Sequence, residues 1–148
     1  MNEAALRAAV AAEALTWIGT PYAADGEIKG VGVNCAQFIF HVARNAGALP
    51  GDSPLPRKYT SQLATHSKEE RLVDYILNYG AVEIGEAQAK TGDVVLYKSG
   101  QAHGHAAFIL DWPVVIHALP IHGVQMGGVA DGVLGKMGRR YFSLWKAS

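Results

Sequence analysis

Residues 31–47 read VGVNCAQFIFHVARNAG. Cys35, Phe38, Ile39, Val42, Ala43 and Ala46 recur on one face at helical spacing, which predicts an amphipathic helix. Asn34 precedes them and can accept a hydrogen bond from a free backbone N–H, as an N-cap does. Gly47 can take the left-handed conformation that closes the other end. The chain's one cysteine therefore falls at the first helical position. One reading is packing, because free cysteine behaves as a small hydrophobe and is among the most buried residue types. The other is chemistry. Unpaired N–H groups and the helix dipole at an N-terminus favour a thiolate, which is the nucleophile, and lower the thiol pKa. The same N–H groups would stabilise a developing oxyanion.

Working outward, Leu6, Val10, Ala14 and Trp17 predict an earlier helix over 3–18, ended by Gly19 and Pro21. The glycine-rich stretch 23–34 (AADGEIKGVGVN) reads as a loop, and 48–66 with its three prolines is irregular. Ser67 and Glu70 are spaced as a capping box for a third helix, lined by Leu72, Ile76 and Tyr79 and stopped by Gly80. Beyond it the apolar period drops from about four to two. Strands are expected over 92–98, 105–110, 114–119, 122–126 and 140–145. Helices first and strands later give an α+β fold, with an antiparallel sheet of about five strands.

Length and composition keep this to one domain over 1–148, with 49% apolar and 18% charged residues to build and cover one core. Thirteen basic side chains balance thirteen acidic ones. That balance offers no footprint for nucleic acid and no polybasic membrane patch. A lone cysteine forms no internal disulfide. The alanine-rich start carries Glu3, Arg7 and Glu13, which makes it a poor signal peptide. No stretch is long and apolar enough to span a membrane. The expectation is a protein made and folded in the cytoplasm, reaching any outer target by lysis, in a particle or through a secretion machine.

A reactive cysteine needs a base, and six histidines are available: His41, His66, His103, His105, His117 and His122. His41 lies on another face of the cysteine helix, and His66 precedes the third helix. His105 and His117 begin and nearly end the segment HAAFILDWPVVIHA. A turn centred on Asp111 would set them directly opposite each other on one sheet face. One imidazole could then accept the thiol proton while the other orients it. Three readings stand together. The pair could be half-buried histidines satisfied by backbone, or a base with its orienter, or part of a zinc site in which His103 supplies a third imidazole. The few later carboxylates (Asp93, Asp111 and Asp131) weaken the metal reading, and no metal or cofactor is expected.

Two segments carry a family resemblance. They are GTPYAADGEIKGVGVNCAQFIFHVARNAG (19–47) and TGDVVLYKSGQAHGHAAFILDWPVVIHAL (91–119). In order they give Gly-Thr-Pro-Tyr, a glycine-rich loop, a cysteine opening a helix, a Gly-Asp strand, a strand led by histidine, and Ile-His-Ala. Over residues 15–119 the chain resembles the NlpC-like cell-wall peptidases, a papain-like group. The wording of KGVGVNC, IHA…HGV and RKYTSQLATHSKEERL is most similar to the branch encoded by phages and prophages beside tail genes.

That resemblance implies a papain-like fold and a cysteine peptidase acting on peptidoglycan stem peptides, most often after D-glutamate. Its partners would be peptidoglycan peptides and phage tail proteins. Cys35 would be the nucleophile, His105 the general base, and His117 the residue that orients it. Tyr22 would line the substrate cleft, the other reading being a loop aromatic packed on the first helix. His103 is a rival base that would share the strand face of His105 but belong to the preceding loop. Two departures stand out. Asn34 replaces the family aspartate, keeping the cap but losing a charge, and Ala36-Gln37 replaces Ser-Gly. The alternatives are a non-catalytic tail protein that retains the fold and a thiol hydrolase acting on another amide.

Overall fold

The computed structural model describes residues 2–54, 68–128, 132 and 134–145. The expectations for His66 and for Ser67 as a cap lie outside the described residues. Helix α1 (Glu3–Leu15) begins at Asn2, whose side chain accepts from the N–H of Ala5 at 2.8 Å. It ends earlier than its apolar spacing predicts. The Thr16 hydroxyl donates to the Glu13 carbonyl at 2.6 Å, and Gly19 turns the chain at φ +90°. A side chain that bonds its own last turn competes with further helix. Residues within the glycine-rich loop pair as a short hairpin, β1 (Glu27–Ile28) with β2 (Gly32–Val33).

Helix α2 (Cys35–Asn45) has the predicted bounds, and Gly47 closes it at φ +87°. It is buried on most of its surface. Phe38 sits at the centre, edge-on to Trp17 at 5.9 Å and to Phe108 at 6.1 Å. Truncating such a core aromatic costs roughly 3–5 kcal/mol. Helix α3 (Arg71–Asn78) buries Leu72, Val73 and Ile76 and stops before Gly80, at φ +93°. Glu70 stands at the N-cap position itself, three residues later than expected, and makes no side-chain cap bond.

Strands β3 (Val82–Ile84), β4 (Val94–Lys98), β5 (His103–Asp111), β6 (Val114–Leu119), β7 (Gly123–Gly128) and β8 (Arg139–Ser143) form one sheet in the order β3-β8-β4-β5-β6-β7. Every pairing is antiparallel. The strand at 82–84 is the one the sequence did not suggest, being short and only half-buried. One face, with Val94, Leu96, Ala106, Phe108, Ile116, Ala118 and Phe142, shares its core with the three helices. The other carries Val95, Tyr97, Ala107, Ile109, Val115 and Tyr141 in a second cluster.

Two ties place the helices on the sheet. Arg7 of α1 donates to the carboxylate of Asp93 at 2.8 Å, and Asp93 is fully buried. At the far end, the N–H of Val124 donates to the Thr20 carbonyl at 2.9 Å and that of Gly19 to the Val124 carbonyl at 3.1 Å. This contact needs a glycine at 123, where φ is +74° and a Cβ would lie 2.4 Å from the Thr20 oxygen. The segment 19–21 is thereby held against β7, and Tyr22 is delivered to a bridge with Val33.

Candidate active site

Cys35 is the first residue of α2 and is 1% exposed. Asn34 does two things beside it. Its Oδ1 accepts from the Gln37 N–H at 2.8 Å, the expected cap, and its Nδ2 donates to the Ala24 carbonyl at 2.8 Å. The second bond ties the 23–26 loop to the head of the helix. An aspartate could cap but could not donate this second bond. The thiol lies against β5 and donates to the Gly104 carbonyl, with Sγ 3.7 Å from the oxygen. The backbone N–H of Ala106 also faces the sulfur. Residues on either side of His105 therefore touch Cys35.

His105 Nε2 and His117 Nδ1 lie 2.8 Å apart, with ring centroids at 5.0 Å. The two are on one sheet face, as predicted, but not directly opposed. The β5–β6 ladder pairs Phe108 with Ile116 and Ile109 with Val115, and its register shifts before Asp111 pairs with Val114. Continued, that register sets His117 across from Ala107, so the imidazoles meet on the diagonal. The turn occupies Trp112 and Pro113 rather than centring on Asp111, which moves the pairing by two residues. Diagonal neighbours remain within reach of ring side chains. With Nε2 engaged by His117, Nδ1 is the other ring nitrogen of His105.

His103 departs from expectation in two ways. It belongs to β5 rather than to the preceding loop, and it does not share a face with His105. Tyr97 pairs with His105, but Lys98 pairs with His103, so Gly104 is an extra, bulged residue. A bulge reverses the alternation of side chains beyond it. His103 consequently turns to the helix side, where its Nδ1 donates to Glu70 at 3.0 Å. Its Nδ1 is therefore taken up by Glu70, and the three imidazoles of the zinc alternative do not converge. Among the described residues no three histidine, cysteine or acidic side chains are grouped as a metal would require.

Protonation runs against the expectation of a lowered thiol pKa. Burial pushes the Cys35 thiol up to about 11, although the N–H groups of Ala106, Ala36 and Cys35 favour the thiolate. Burial also lowers His105 to about 3, helped by the neighbouring His117. The cost of taking charge out of water outweighs the helix terminus here. At neutral pH Cys35 is therefore a thiol and His105 a neutral imidazole.

Tyr22 is half-buried against the helix-side core, and its bridge to Val33 sets it close to Cys35 in the backbone. His41 lies away from the thiol among Trp17, Phe40 and Arg44, and burial lowers its pKa. Three neighbours of the site were not expected there from the sequence. Gly104 supplies the carbonyl under the thiol, Tyr97 stacks at 5.9 Å beside His105, and Glu70 holds His103. Only the glycine of HGH hints at a bulge.

A model of the NlpC/P60 family matches residues 19–142. Among solved structures, the chain is similar to the NlpC/p60 domain of the peptidoglycan hydrolase SagA. Identity is 24% and the TM-score 0.63, covering 90% of this chain and 96% of that one. It is similar to an NLP/P60 family protein of Staphylococcus aureus, at 21% identity and a TM-score of 0.63. That match covers 95% of this chain but 42% of the staphylococcal one. It is also similar to RipD of Mycobacterium tuberculosis, described as a non-catalytic domain adapted to peptidoglycan binding. There identity is 18% and the TM-score 0.60, with 95% and 98% of the two chains covered. Comparison with curated protein sequences gave no match.

Proposed function

Because the chain belongs to the NlpC/P60 family, we propose that it hydrolyses an amide bond in the stem peptides of bacterial peptidoglycan, with Cys35 as nucleophile. The observation that carries this reading is the 2.8 Å bond between His105 and His117 on the strand that touches the thiol. A nucleophile, a base and an orienter are what acyl transfer through a thiol requires.

In this mechanism Cys35 Sγ attacks the scissile carbonyl as His105 Nδ1 takes the thiol proton. His117 holds the imidazole in the useful tautomer and disperses the charge it gains. The N–H groups at the head of α2 stabilise the oxyanion. Collapse expels the amine, which leaves with the proton from His105, and an acyl thioester remains on Cys35. Water then attacks the thioester, giving its proton to His105, and the acid departs as the thiol is restored. Tyr22 lines the cleft beside the nucleophile. The bond is proposed to follow D-glutamate, and delivery to the wall to come from a phage or prophage tail assembly.

Digestion of purified peptidoglycan with mass analysis of the fragments tests this. Release of stem-peptide fragments ending in D-glutamate supports the reading. Uncut wall of several chemistries contradicts it. A second reading, a wall-binding or tail structural protein without catalysis, is favoured by the near-complete burial of Cys35. It predicts that the intact protein sediments with peptidoglycan and leaves it whole.

A further inference from the structure

Glu70 heads α3 but leaves that helix without a side-chain cap. A carboxylate in this place ordinarily serves the free N–H groups of its own helix. Here it crosses to β5. The backbone N–H of His103 donates to it, at 3.1 Å from Oε1 and 3.3 Å from Oε2, and the ring Nδ1 of His103 lies 3.0 Å from Oε2. Arg140, itself paired with Glu83 at 2.7 Å, stands 3.7 Å from the same oxygen.

The position of that contact gives it meaning. His103 borders the bulge at Gly104, where one residue too many disturbs the β4–β5 ladder. A bulge leaves backbone groups without their ladder partners, and a part-buried N–H needs an acceptor. Glu70 is that acceptor. The bulge presents the Gly104 carbonyl to the Cys35 thiol and directly precedes His105, whose Nε2 meets His117. We propose that Glu70 is a positioning residue: it pins the bulge through His103 and so sets the place of the base relative to the nucleophile. This rests on the catalytic reading given above for Cys35 and His105. Glu70 touches neither substrate nor reacting atoms and acts only through β5.

Three variants of the full chain separate acceptor from charge. Glu70→Gln keeps an oxygen that can accept from the His103 N–H. Glu70→Ala removes it. Glu70→Asp keeps a charge at the head of α3 but withdraws the acceptor by one methylene, and it gives a second folded comparison should the alanine variant not fold. The ring ¹⁵N resonances of His105 and His117 report their hydrogen bond without reference to turnover. Expected are wild-type ring signals for Glu70→Gln and displaced signals for Glu70→Ala and Glu70→Asp. On peptidoglycan fragments the displaced variants should lose about 10- to 100-fold in kcat with KM within about twofold, the mark of misplaced groups rather than lost binding. Wild-type ring signals in folded Glu70→Asp or Glu70→Ala would overturn the proposal. So would a glutamine variant as displaced as alanine. If the wild type cleaves no wall substrate, the catalytic reading falls while the ring signals still decide what Glu70 holds.

Discussion

His117 reaches back along the sheet to meet His105: Nδ1 and Nε2 are 2.8 Å apart although the ladder register sets His117 opposite Ala107. The diagonal engages His105 Nε2, while the residues on either side of His105 touch Cys35. It also makes the pair sensitive to anything that slides β5 along β4 or β6.

Substitution should rank the three residues. Cys35→Ala should abolish peptidoglycan cleavage with the fold intact, since it removes one small group. His105→Ala should lose on the order of 10²–10⁴ in kcat, the usual share of a general base. His117→Ala should be milder, at about 10- to 100-fold, because it removes orientation and leaves the reacting groups. Steady-state kinetics on a defined stem peptide checks the order. Double variants should resemble the worse single one, because members of one unit do not add.

Alkylation of the free protein should be slow near neutrality. With the thiol at about 11, only about one molecule in ten thousand carries the thiolate at pH 7. The rate should climb about tenfold per pH unit through pH 8 and 9 instead of levelling near pH 7. A plateau near neutrality would mean that a thiolate–imidazolium pair exists at rest.

Acid should destabilise the fold through His105. Its pKa is about 3 folded against an ordinary 6.5, so the unfolded chain binds the extra proton between those values. The neutral imidazole's contribution is complete above pH 6.5 and is lost progressively as pH falls toward 3. The slope approaches about 1.4 kcal/mol per pH unit in mid-window. Urea unfolding from pH 7 to 4 should show it, and His105→Gln should flatten the dependence by about one proton. An equal slope in that variant would assign the effect to other groups.

Asp93 should be the costliest polar residue to change away from the site. It is fully buried and accepts from Arg7 and from the Lys90 N–H, each at 2.8 Å. Removing one partner of a buried pair costs about 3–5 kcal/mol. Asp93→Ala should lose that much in urea unfolding. Arg7→Met together with Asp93→Leu should recover part of it, because no buried charge is then left unpaired.

Much of this was legible because it is local. The apolar face of α2, the cap at Asn34 and the stop at Gly47 lie within one short window, and the structure holds all three. The His105–His117 pair was legible from period-two spacing, which assigns a face even where the register is two residues off. What the sequence hid depends on single extra residues and on distant packing. A bulge at Gly104 cannot be read from alternation, yet it decides that His103 faces Glu70 instead of sharing the face of His105. The helix-terminus argument for a low thiol pKa was sound as a local statement. It was overruled because β5 closes over Cys35, and burial is a property of the whole fold.

Trapping the acyl-enzyme tests the central claim most directly. A stem peptide mixed with the wild type and quenched in acid should give an intact-mass increase equal to the acyl fragment. Digestion should map that increase to Cys35, and it should be absent in Cys35→Ala. Stem peptide cleaved by Cys35→Ala, or bound by the wild type with neither cleavage nor adduct, would contradict the account.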